Sequence, residues 1–154
     1  MSYTVRFSDG DIEVGSTGEQ LLITGAEKAA QDTLDALLLP YNVALDRGNE
    51  MFEADGRLTA IAGTASVGAS AIRTMIKAAV QRLQRMQQQD STTARSEVIQ
   101  RIKSLAVQPI NNDVTSYAFF LAIVVDDHNI GIARAIRMGH LGNTPTPLVG
   151  GYDP

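Results

Sequence analysis

Asp126, Asp127 and His128 are the only place in the chain where acids and a histidine stand together. A metal site there would need further ligands, and His140 is the only other histidine. Ser104 or Ser116 would complete a serine–histidine–aspartate set on paper. The Gly-x-Ser-x-Gly turn that presents such a nucleophile is missing. The cluster reads as a polar turn closing an apolar segment. Glu50 and Glu53, with Asp46 or Asp55, offer paired carboxylates of the kind that cleave glycosides. That chemistry needs a rigid scaffold and one raised pKa, and these acids stand in the least regular stretch of the sequence. The glycines between Gly63 and Gly68 have neither a Walker lysine nor Gly-x-Gly-x-x-Gly spacing. The residues therefore point away from an enzyme, and no cofactor is expected.

Arg73, Lys77, Arg82 and Arg85, followed by Arg95, Arg101 and Lys103, form a basic stretch. Residues 1–69 carry 4 basic and 11 acidic groups, and residues 70–104 carry 7 basic and 2 acidic. The whole chain has a formal net charge of -4 and no nucleic-acid reading motif. Acidic elements of protein partners are the better target for these bases than phosphates. Cysteine is absent, which excludes disulfides and thiolate metal sites. There is no apolar signal run at the N-terminus. The longest apolar run, residues 118–125, is too short to span a bilayer.

The elements that position these residues follow from periodicity. At 154 residues the length suits one domain. Tyr3, Val5 and Phe7 alternate, then Ile12 and Val14 follow Asp9-Gly10, which predicts a hairpin. Residues 15–24 read as a turn region. Thr24 and Glu27 match a capping box at the start of a helix whose Ala26, Ala30, Thr33, Leu34, Leu37 and Leu38 recur at helical spacing. Pro40 stops that helix. Residues 40–69 show no clear element.

A second helix is expected from Ser70, with Ile72, Met75, Ile76, Ala79, Val80, Leu83 and Met86 in one stripe and Gln87–Gln89 fading into solvent. Asp90 or Ser91 would cap a third helix carrying Ala94, Val98 and Ile102, unless one long kinked helix continues. The period then drops to 2 from Leu105 to Pro109. Ser116–Val125 is apolar on both faces and reads as a strand covered on both sides, with a buried helix as the competing reading. Ile130 to Met138 is one more strand or a short helix. The chain beyond, residues 139–154, is rich in glycine and proline and reads as an extended tail outside a domain of residues 1–138. The fold class expected is α+β, a small mixed sheet packed against two or three helices with an N-terminal hairpin.

The order of segments resembles the small baseplate wedge, or sheath-initiator, family of contractile-tailed phages and related injection systems, some of whose members carry a lysozyme label. The resemblance covers about residues 20–126. It rests on Gly25, the alanine-rich helix with Glu27 to Gln31, Leu37–Leu39 before a loop, and Arg101-Ile-Lys-Ser-Leu-Ala-Val-Gln-Pro before an apolar strand. Where the family shows Pro-x-Phe/Tyr-Gly-x-x-Leu, residues 40–49 keep only an arginine and a glycine.

The resemblance implies a non-catalytic adapter in the virion tail baseplate, assembled in the host cytoplasm. It would link wedge subunits to the first ring of tail sheath, near the tail tube, in six copies or a multiple. Neither nucleic acid nor membrane is an expected partner. Strand pairing in trans would template the sheath. The expected contact residues are Arg73, Lys77, Arg82, Arg85, Tyr117, Phe119, Ile130 and Ile132. Another tail connector, terminator or completion protein is the alternative, and a peptidoglycan hydrolase is the least favoured.

Overall fold

A computed structural model describes residues 4–8, 11–51, 60–61, 63–137 and 139–140. The elements are β1 (Thr4–Val5), β2 (Phe7–Ser8), β3 (Asp11–Ile12), β4 (Leu22–Ile23), α1 (Gly25–Leu38), β5 (Ala60–Ile61), α2 (Ala65–Gln89), β6 (Ile99–Pro109), β7 (Ser116–Val125), β8 (His128–Arg137) and β9 (Gly139–His140). A 3-10 turn, Arg95–Glu97, precedes β6. The class is α+β, as the sequence predicts. The principal sheet is antiparallel in the order β6-β7-β8, and β5 and β9 form a separate parallel ladder.

The N-terminal hairpin forms, with Phe7 opposite Ile12 and Ser8 opposite Asp11. Its Asp9-Gly10 turn lies outside the described residues. The next stretch is more ordered than its glycines suggest. Val14 bridges Gln20, and β4 pairs antiparallel with β1. Gln31 fastens this small β cluster to α1. Its Nε2 donates to the Val5 carbonyl at 2.8 Å, and its Oε1 accepts from the Phe7 N–H at 2.9 Å.

α1 begins after Thr24, but the capping box does not form, because the Thr24 side chain makes no cap bond. Glu27 pairs with Arg6 instead. The helix ends before Pro40 as expected, with Leu39 already extended at ψ 139°. Its buried face is Ala29, Thr33, Ala36 and Leu37, turned slightly from the expected stripe.

α2 starts at Ala65, five residues before the expected Ser70, and Thr64 caps it by accepting from the Val67 N–H at 3.4 Å. Ala65, Gly68 and Ala69 are buried, so the small residues serve close helix packing. The expected third helix is absent. Asp90 closes a turn by accepting from the Thr92 N–H and the hydroxyls of Thr92 and Thr93. The β-branched residues that follow then enter β6. Gln87 does not fade into solvent. It is buried and ties the end of α2 to the start of β6.

One face of the sheet carries the core. Tyr117, Phe119, Leu121, Ile123 and Val125 of β7 are buried with Ile99, Ile132 and Ile136. Ile72, Ile76, Ala79 and Val80 of α2, with Ala29 and Leu37 of α1, complete the cluster. α2 packs along β6, and α1 packs against β8. Each large side chain sealed here contributes roughly 1.5–3 kcal/mol. The strand Ser116–Val125 has the expected bounds, but its second face is not fully covered by the described residues. Phe120 is 53 % exposed there. The expected tail beyond His140 lies outside the described residues.

Candidate functional site

The acid–histidine cluster is a hairpin turn. Val125 pairs with His128, and Asp126 and Asp127 between them have φ of 49° and 61°. Positive φ at both central positions is the type I′ form of the two-residue connection, which matches the twist of the strands and which aspartate tolerates. The His128 Nδ1 lies 2.7 Å from the Asp126 carbonyl, so the Nδ1–H tautomer donates to it. Ser116 pairs with Arg137 at the far end of this ladder, and Ser104 pairs with Ala122 on the outer face. Neither serine meets the imidazole. Among the described residues no group of three or more His, Asp or Glu side chains is placed to hold a metal.

The carboxylates proposed for acid–base work divide. Glu53 and Asp55 lie outside the described residues. Asp46 and Glu50 dock onto α2. Arg82, with a side chain only 11 % exposed, pairs with Glu50 and lies 3.6 Å from Asp46. Its guanidinium also donates to the Gly48 carbonyl at 3.3 Å. Arg85 donates to Asp46 at 3.0 Å, and the Tyr41 hydroxyl donates to it at 3.2 Å. These contacts, the Arg85 bond foremost, hold the Asp46 carboxyl below the usual range. A general acid needs the opposite shift. The loop can turn back onto the helix because Gly48 has φ +94° and lies against the Pro40 backbone, where any Cβ would collide.

The expected contact residues therefore separate. Arg82 and Arg85 are both bound to carboxylates within the chain, Arg82 nearly buried and Arg85 still exposed. Tyr117 and Phe119 are fully buried, Ile132 is nearly so, and Ile130 is half-buried against the same core. They point under the helices because alternate residues of β7, and their partners on β8, share the inner face. Tyr117, Phe119 and Ile132 thus serve the core of this chain. Arg73 and Lys77 remain exposed, beside a cavity of about 430 Å³ that Lys103 also lines.

The outward surface comes from the other alternation. Phe120 stands between Ala106 and Ala133 on the neighbouring strands, with Ala118 and Ala122 beside it. Apolar composition on both faces of β7 signalled this, but only the covered face could be told apart by folding.

The two edges of the sheet differ. β6 carries register shifts between Ile99 and Arg101 and between Ile102 and Ser104, and it ends on Pro109. β8 pairs with β7 in unbroken register over its ten residues. Val125 and His128 close a two-residue turn, so they form a hydrogen-bonded pair, and such pairs alternate along the ladder. The N–H and C=O groups of Asn129, Gly131, Ala133 and Ala135 then point away from β7. The Arg134 guanidinium donates to the outward Ala133 carbonyl at 3.0 Å, and β8 has no further strand beside it among the described residues. A cavity of about 410 Å³ runs alongside, between β8, α1 and the N-terminal β cluster, with Phe7, Ala30, Leu34 and Gly131 in its lining.

No protein-family model, no curated protein and no solved structure matches this chain.

Proposed function

We propose that this protein is a structural adapter that receives a strand of a neighbouring subunit along the outer edge of β8. The sequence resemblance points to a contractile-tail baseplate as that assembly, with other wedge proteins and the first ring of tail sheath as the proposed neighbours. The observation that supports the reading is the contrast between the two edges of the sheet. Bulges, charged residues and proline are the devices by which proteins block an edge, and β6 has them all, with Arg101, Lys103 and Pro109. β8 has no bulge and no proline. An added strand would hydrogen-bond to the outward groups from Asn129 to Ala135 and lay alternate side chains into the adjoining cavity. Displacing the exposed Arg134 side chain from the Ala133 carbonyl would cost little, since water can replace that bond.

Ala133→Pro tests this. It removes an outward N–H and no bond to β7, and proline is tolerated on an edge strand in that orientation. The wild-type protein should bind sheath subunits and seed their assembly. The variant should keep its unfolding temperature and lose seeding. Equal seeding by both proteins, or no binding of sheath subunits by the wild type, would sink the adapter reading.

A further inference from the structure

We propose that the groove between α2 and β6 docks an acidic, extended segment of another protein chain. Arg73 and Lys77 stand one turn apart on α2, and Lys103 reaches the same groove from β6. All three are exposed. Among the described residues none of the three takes part in an ion pair, whereas Arg82 and Arg85 on the same helix are both bound to carboxylates. Like charges at i and i+4 on a helix are mildly destabilising. Three uncompensated cations around one cavity therefore work slightly against the fold and suit an anionic occupant.

The strand geometry brings the third cation in. Ile102 pairs with Ile123, and the next pair is Ser104 with Ala122, so Lys103 is the extra residue of a bulge. A bulge re-aims the side chain it carries, and here that chain lines the α2 side of the sheet edge. The rest of the lining fixes the chemistry of the occupant. Ile102 and Leu105 are half-buried and give it an apolar floor. The Thr74 hydroxyl donates to the Ser70 carbonyl at 3.1 Å, which leaves its lone pairs facing outward as weak acceptors for backbone N–H groups. Cations at the rim over an apolar floor match a peptide in which acidic and aliphatic residues alternate. A nucleic acid fits less well, because the described residues lining the groove offer no aromatic ring for a base and the chain carries a net charge of -4.

This surface lies by the opposite edge of the sheet from β8, so it stands or falls independently of the strand-pairing adapter. The probe is a fluorescein-labelled nonapeptide of alternating glutamate and valine, titrated with the full chain and followed by anisotropy. Saturable binding is expected, weakening as salt rises. The triple variant Arg73→Gln, Lys77→Gln and Lys103→Gln should bind about tenfold or more weakly and unfold at the same or a higher temperature. Arg95→Gln, exposed outside the groove, should bind as the wild type does. Three outcomes each overturn the proposal: undiminished binding by the triple variant, tighter binding of a single-stranded oligonucleotide of equal charge, or self-association of the wild type that the triple variant abolishes.

Discussion

The Arg82 guanidinium lies over the ring of Tyr41, its central carbon 4.2 Å from the ring centroid. Tyr41 belongs to the loop after α1 and Arg82 to the third quarter of α2, so this contact fastens an acidic loop to a basic helix. Asp46 and Glu50 complete the clasp. Arg82→Ala should therefore destabilise the protein by about 1–3 kcal/mol, summing a cation–π contact, exposed ion pairs and lost packing of the stem. Arg73→Ala should stay within about 0.5 kcal/mol of wild type. Denaturant titrations of the two variants check both values.

Phe119 and Phe120 are neighbours with opposite roles. Phe119→Ala removes a fully buried ring and should cost about 3–5 kcal/mol. Phe120→Ala removes a ring that is 53 % exposed and should cost less than about 1.5 kcal/mol. Equal losses in thermal unfolding would mean that the outer face of β7 is covered.

Gln87 accepts from the Ile99 N–H at 2.9 Å and donates to the Glu97 carbonyl at 3.0 Å, all within a buried site. Gln87→Ala leaves both backbone groups without that partner and should cost about 1–3 kcal/mol. Amide exchange at Ile99 should accelerate in the variant more than at Ile123, where the ladder with β8 is intact.

Asp35 lines a cavity of about 260 Å³ between α1 and α2. Partial burial foremost, then the negative charge of Asp32, raises its pKa above the ordinary 3.8, against a smaller opposing effect of Arg47. A raised folded pKa means that stability from this group is fully present below the ordinary value and is lost as pH rises through the folded one. At neutral pH the ionised carboxylate is then a liability, so Asp35→Asn should raise the unfolding temperature at pH 7 and not at pH 3. Asp46, Asp90 and Asp113 shift the other way. Asp46 is lowered chiefly by Arg85, and Asp90 and Asp113 by bonds from Thr92 and Thr115. Their contribution is present above the ordinary value and is lost as pH falls through their lower folded values. Wild-type protein should lose stability below about pH 4, and a melting series from pH 7 to pH 2 measures it.

Composition and period were enough to place β7 at Ser116–Val125, to stop α1 before Pro40 and to recognise Asp126-Asp127 as a turn. Each of these rests on local rules: β-branched and aromatic density, the steric demand of proline, and the tolerance of aspartate for positive φ. The start of α2 was hidden because the small residues from Gly63 to Ser70 have no hydrophobic signature, although Thr64 was there to cap it. Ala94, Val98 and Ile102 mimic a helical stripe. Strand pairing with β7 overrides that spacing, and pairing is not a local property.

The sequence by itself determined the α+β class, the second helix and the central strand, because periodicity reports which residues need burial. It could not say which apolar face of β7 is buried, or which arginines of α2 are already bound. Those depend on where α1, the loop after it and β8 come to rest. Only the tertiary structure turned Phe119 inward and Phe120 outward, tied Arg82 to Tyr41, and left Arg73, Lys77 and Lys103 facing solvent together. A charge or a ring acquires its role from neighbours distant in sequence, and the order of residues does not carry those distances.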